Sequence, residues 1–81
     1  MKRRIELYGR LRDAGLGDHV AVVLPPRATA RQALAALKHA LGRRGALLTG
    51  CALATDDSVL SSAEILPASG RIAALPPVCG G

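Results

Sequence analysis

Leu75-Pro76-Pro77-Val78-Cys79-Gly80-Gly81 closes the sequence, and its two prolines decide how the residues on either side are read. Proline holds φ near −65° and offers no backbone N–H, so Pro76-Pro77 cannot continue a helix and pairs in a sheet only at an edge. The apolar run before them, Arg71-Ile72-Ala73-Ala74-Leu75, reads as a central strand that ends at the prolines. An extended chain gains roughly 3.3–3.6 Å per residue, so residues 77–81 reach about 17 Å from the body, enough to enter a partner's cleft. Gly80 and Gly81 carry no Cβ and fit where the walls of another protein would strike any side chain. The carboxylate expected at Gly81 is ionised at neutral pH and resists nucleophiles until its oxygen becomes a leaving group. Chemistry there calls for a nucleotide-using partner.

Working back from this end, the chain alternates short strands with one helix. Arg3 to Tyr8 alternates with period two, which puts Ile5 and Leu7 toward a core. Gly9 to Asp18, with three glycines and several charges, reads as a loop with one helical turn over Arg10 to Ala14. Val20-Ala21-Val22-Val23-Leu24 is β-branched and apolar, a second strand ended by Pro25-Pro26 and antiparallel to the first. Thr29-Ala30-Arg31-Gln32 has the form of a capping box and opens a helix whose apolar stripe is Ala30, Leu34, Leu37 and Leu41. Gly42 supplies a left-handed stop, with Arg43-Arg44 near the negative end of the helix dipole. Cys51 to Ala54 is a strand, Asp56-Asp57 a turn and Ser58-Val59-Leu60 a short return strand; Ile65 and Leu66 anchor a loop, and Ser69-Gly70 turns the chain into the last strand. Strands flanking a single helix give an α+β fold, and no internal repeat or linker is visible.

Composition narrows the function. At 81 residues the chain is one small domain, of a size that buries only about 60% of its unfolded surface. Tyr8 is the sole aromatic, so the core is aliphatic and there is no stacking platform for bases. The net charge of +5 comes from nine arginines and two lysines against six acids. These cations are scattered without a recognition module, so they read as solvation and as steering toward acidic partner surfaces, and nucleic-acid binding is the less favoured reading. Cys51 and Cys79 are too few for a disulfide framework and lack metal spacing, which suits a reduced, cytoplasmic setting. No apolar run approaches the roughly 18 residues of a membrane span, and no signal-type segment follows Met1-Lys2-Arg3-Arg4. His19 and His39 have no third ligand near them, and the serines lack a nucleophile context with His and Asp partners. The domain is therefore expected to have no metal and no active site of its own.

The ending Leu75 to Gly81, the first strand Ile5-Glu6-Leu7-Tyr8, the following Arg10-Leu11-Arg12-Asp13-Ala14-Gly15 and the helix opening at Thr29 together resemble the small subunit of molybdopterin synthase, the MoaD family, and more broadly the ThiS/MoaD sulfur carriers. The resemblance implies a β-grasp, ubiquitin-like fold: a mixed sheet of four to five strands on one main helix, with a domain over 1–76 and a flexible diglycine tail over 77–81. It implies that Gly81 is adenylated and then thiocarboxylated, with Gly80 beside it and Leu75, Pro76, Pro77, Val78 and Cys79 meeting the partners. Those partners are a ubiquitin-activating-type adenylyltransferase (MoeB/ThiF-like), a persulfide sulfur donor and a MoaE-like large subunit. The chain itself would bind no cofactor, ATP being used by the activating enzyme.

The sequence departs from the family pattern in three places. Cys79 stands where a small Ala, Ser or Thr is usual, so its thiol is either a participant in acyl or disulfide exchange near the reacting carbonyl or a tolerated small side chain. Ser69-Gly70 replaces a common Gly-Asp, and the aromatics of the first strand are reduced to Tyr8. Three alternatives stay open: a carrier for thiamine, cysteine or tRNA thiolation; a ubiquitin-like modifier joined through Gly81 to lysines; and a basic nucleic-acid module.

Overall fold

Alternation along β1 (Lys2–Leu7) sends Ile5 and Leu7 into the core, at 0% and 1% exposure, and leaves Lys2 and Arg4 in solvent. The computed structural model describes residues 2–9, 11–13 and 17–76. β2 (His19–Val23) pairs antiparallel with β1 in a register running from Lys2↔Val23 to Glu6↔His19. It starts one residue before the expected strand and stops at Val23, although Leu24 is still buried. Between them, Leu11 N–H donates to the Tyr8 carbonyl, and Arg12 and Asp13 N–H donate to that of Gly9. This turn carries Leu11 to full burial, a core position the sequence reading did not assign.

α1 (Ala30–Leu41) opens as its capping box requires: Gln32 N–H donates to Thr29 Oγ1 at 3.2 Å, and Thr29 N–H to Gln32 Oε1 at 2.8 Å. The other exposed donors of its first turn are met from a distant segment, Ala30 N–H by the Glu64 carbonyl and Arg31 N–H by that of Ser62. The buried stripe is Ala30, Ala33 and Leu37, with Leu34 and Leu41 half-buried at its margin. The expected stripe thus turns toward Ala33, whose small side chain lets the helix settle close to the sheet. Gly42 does end α1 with a positive φ of 57°, but its ψ of −122° lies outside the left-handed helical region, and its N–H bonds the His39 carbonyl. The chain then continues as a 3-10 helix over Gly42–Leu48 that the sequence reading did not contain. A Cβ on Gly45 would fall 2.7 Å from the carbonyl oxygen of Lys38, so glycine is what allows this segment to pack on α1.

β3 (Ala52–Ala54) and β4 (Ile72–Leu75) are antiparallel, with Leu53↔Ala74 in register, while β1 and β4 are parallel, with Ile5↔Ile72 and Leu7↔Ala74. The order β2-β1-β4-β3 makes a mixed four-stranded sheet with β4 inside it, and α1 lies across one face against β2 and β3. This is the expected α+β, β-grasp architecture. The return strand over Ser58 to Leu60 is not formed. An Ala54↔Val59 bridge, a Leu60 N–H to Leu53 carbonyl bond at 2.8 Å and a Thr55 N–H to Ser58 carbonyl bond at 2.9 Å remain of it. The chain must leave the sheet there, because its next polar groups serve the start of α1: Ile65 bridges Thr29, and Leu66 N–H donates to the Ala28 carbonyl. Leu66 anchors this loop in the core, whereas Ile65 is 46% exposed.

Leu37→Ala is expected to lower unfolding free energy by about 2–5 kcal/mol, as for other fully buried leucines. Leu34→Ala should cost clearly less, and chemical denaturation of the two variants measures the difference.

Candidate functional site

β4 is the element that leads to the predicted site. Flanked by β1 and β3, it is buried on both faces from Ile72 to Ala74 and emerges at Leu75, which is half-buried opposite Ala52. Pro76 follows, half-buried over the turn after β1. Gly9 makes that seat: its φ is +59°, and a Cβ there would stand 3.0 Å from Pro76 Cγ. Pro77, Val78, Cys79, Gly80 and Gly81 lie outside the described residues. Of the predicted site, then, the structure places Leu75 and Pro76, at the root of the segment.

Beside this root, on the sheet face that α1 leaves uncovered, is a polar cluster. Arg71 Nε lies 3.0 Å from Glu6 Oε2, and the Tyr8 hydroxyl donates to Glu6 Oε1 at 2.6 Å. Arg12 Nε lies 3.1 Å from Asp18 Oδ1. With Arg4 these side chains line a shallow depression of about 310 Å³. The hydrogen bond to Glu6 raises the Tyr8 pKa above its ordinary value, with smaller contributions from desolvation and the Glu6 charge; Arg71 and Arg12 oppose the shift. Next to the cluster, Ala73 and Ala54 are small and buried, so the uncovered face is low and flat where β4 and β3 pair.

Sequence reasoning missed this cluster and the Gly9 seat. One signal was present: Glu6 and Tyr8 are two apart on a strand and so share a face. The pairing with Arg71 depends on the parallel register of β1 and β4, which no local pattern encodes. The other candidates stay apart. His19 is exposed on β2 opposite Glu6, His39 is exposed on α1, and Cys51 is half-buried with its Sγ 3.5 Å from the Leu47 carbonyl oxygen. Among the described residues no three His, Cys, Asp or Glu side chains stand together as metal ligands, and no helix is long and apolar enough to cross a membrane. What the described site offers chemically is presentation, a strand end held at a fixed place beside a charged, largely flat surface.

Comparison with solved structures finds this fold in SAMP1 from Haloferax volcanii, at a TM-score of 0.72 and 25% identity over 100% of both chains. A crystal structure of the H. volcanii small archaeal modifier protein 1 matches at a TM-score of 0.71 and 22% identity, over 95% of this chain and 98% of that one. No family model and no curated protein matches the sequence. The chain has the β-grasp, ubiquitin-like fold of these neighbours.

Gly9→Ala is expected to cost about 1–2 kcal/mol, because alanine is strained at positive φ, and to shift the amide resonances of Ala74 and Leu75 as Pro76 moves off its seat. Tyr8 is the sole tyrosine, so phenolate absorbance reports on it alone. In Glu6→Gln its titration should move to lower pH, since the charged acceptor is lost while Arg71 and Arg12 remain.

Proposed function

We propose that the chain is a ubiquitin-like carrier that acts through the carboxylate of Gly81, and that sulfur is its cargo. The observation that supports this most is the placement of β4: the strand is locked between two neighbours, and its end at Leu75-Pro76 stands five residues before the closing glycine. A segment rooted in such a strand can be handed to successive enzymes without the body unfolding.

The chemistry follows from the carboxylate. Attack of its oxygen on ATP, in an activating adenylyltransferase of the MoeB/ThiF type, gives an acyl adenylate and pyrophosphate. The outer sulfur of a persulfide donor then displaces AMP to give an acyl disulfide, and a second thiol attacks the donor's inner sulfur, leaving the thiocarboxylate and a disulfide on the donor side. Pro76-Pro77 stiffen the exit, Leu75 and Val78 give apolar footing on the partner, and Gly80-Gly81 pass through a channel too narrow for side chains. The uncovered sheet face beside the exit is the docking surface, so the activating enzyme and the acceptor enzyme compete for it. The acceptor we favour is a MoaE-like large subunit, which makes the chain the small subunit of molybdopterin synthase, acting in the cytoplasm and binding no cofactor itself. The likeness to archaeal modifier proteins supports a second use of the same acyl adenylate, transfer of Gly81 to lysine amines of other proteins.

Incubation with ATP, an adenylating enzyme, a persulfide source and a thiol reductant should raise the intact mass by one oxygen exchanged for sulfur. Removal of Gly80-Gly81 should abolish the gain. Higher-mass species linked through Gly81 to lysine, with no thiocarboxylate, would favour the modifier reading, and an unchanged mass would reject both.

A further inference from the structure

A second concave site lies at the opposite end of the sheet from the β4 exit, where β1 begins and β2 ends. It is a cup of about 410 Å³ walled by Leu24, Pro25, Pro26, Ala28, Ile65 and Leu66, with Arg3 and Arg27 also lining it. This volume is in the range of small-molecule pockets, as is the combination of an apolar wall with a few polar groups. Nothing in the carrier reading uses it.

The two arginines define what the cup lacks. Arg3 Nη1 donates to the Pro67 carbonyl at 2.8 Å, but Nη2 is buried with no acceptor. Nη2 has no surface open to the cup, so what Arg3 contributes there is an uncompensated positive charge beside the wall. Arg27 is held at a φ of +59°, a conformation a non-glycine residue seldom adopts. Among the described residues, neither Arg3 nor Arg27 is paired with a carboxylate, in contrast to Arg12 and Arg71. The wall also speaks against a peptide. Extended peptides bind largely through main-chain hydrogen bonds, yet Pro25 and Pro26 have no N–H to give. The Leu66 N–H and the Ala28 carbonyl are bonded to each other, and the Pro67 carbonyl is taken by Arg3.

We infer that the cup binds a free carboxylic acid with a short acyl chain, the chain against Pro25, Pro26, Ile65 and Leu66 and the carboxylate held by Arg27, with the uncompensated charge of Arg3 beside it. The ligand has one anionic head and an apolar body, and it occupies this end of the molecule independently of anything attached to Gly81.

The probe is octanoate, titrated below its micelle concentration into the full-length chain while amide resonances are followed. Saturable shifts confined to the 24–28 and 65–68 segments, at one equivalent, are expected, with octylamine, octanol and acetate binding much more weakly. Arg27→Gly suits the positive φ and keeps the fold, and it should weaken octanoate about tenfold by removing one charge-assisted contact. Ile65→Asp, at an exposed rim position, should weaken it as well. Absence of saturable shifts, shifts centred elsewhere, equal binding of octanol or octylamine, or unchanged affinity in Arg27→Gly would overturn the assignment. Binding of a capped apolar-acidic peptide in preference to octanoate would overturn it too, by making the cup a protein-docking surface.

Discussion

The first and last strands of this chain lie side by side and run the same way, Ile5 against Ile72 and Leu7 against Ala74. Parallel neighbours cannot be joined by a tight turn, so everything between them is obliged to cross over, and α1 makes that crossing. With β3 on its other side, β4 has no free edge. Its residues Ile72 and Ala74 belong to the hydrophobic core, while Ala73, on the opposite face, is buried beside the Glu6–Arg71 pair. The consequence for function is mechanical. Pulling on the segment after Leu75 loads a strand bonded on both sides, so the body can present that segment without losing its own structure.

The crossover also needs its ends closed. The first turn of α1 would leave backbone donors open, and they are met partly by Thr29 and partly by carbonyls of Ser62 and Glu64, more than 30 residues on. The 61–66 segment is thereby spent on the helix, which is why it does not extend β3 as a hairpin. The same arrangement makes the apolar cup, since the loop that caps α1 also forms one wall of it, opposite Pro25-Pro26. Packing adds the rest. Ile5, Leu7, Leu11, Leu37, Leu53 and Ile72 are the large fully buried side chains, and each contributes about 1.5–3 kcal/mol through burial. In a domain this small, each of them is a sizeable share of the net stability.

Much of this was legible in the sequence where the pattern is local. Period-two alternation located β1, β-branching located β2, and Thr29 with Gln32 located the start of α1, because each of these signals is set by residues within a few positions of one another. The apolar run before Pro76-Pro77 read correctly as an inner strand, since proline chemistry fixes its end. What was not legible depended on distant groups. Leu11 is buried because the turn after β1 folds inward, and Ser58 to Leu60 fails as a strand because the chain is drawn toward the start of α1. The 3-10 helix rests on Gly45 meeting Lys38, a contact that a glycine in a run of arginines and leucines does not announce. At the candidate site, Gly80 and Gly81 were read from composition and lie outside the described residues, whereas Gly9 and the Glu6–Tyr8–Arg71 cluster came only with the register of β1 on β4.

The arginines are not all paired alike. Beside the root of the exit segment, Arg71 and Arg12 each have a carboxylate, so their fields are largely local. Around the apolar cup, Arg3 and Arg27 have none among the described residues. In the docking proposed at the exit, recognition rests mainly on short-range fit, the flat face over Ala73 and Ala54 and the seat of Pro76 on Gly9. Binding in the apolar cup has the opposite character, with a charged head in contact with Arg27. The two ends of one small sheet are thus suited to different ligands, a protein surface matched by shape at one and an anion matched by charge at the other.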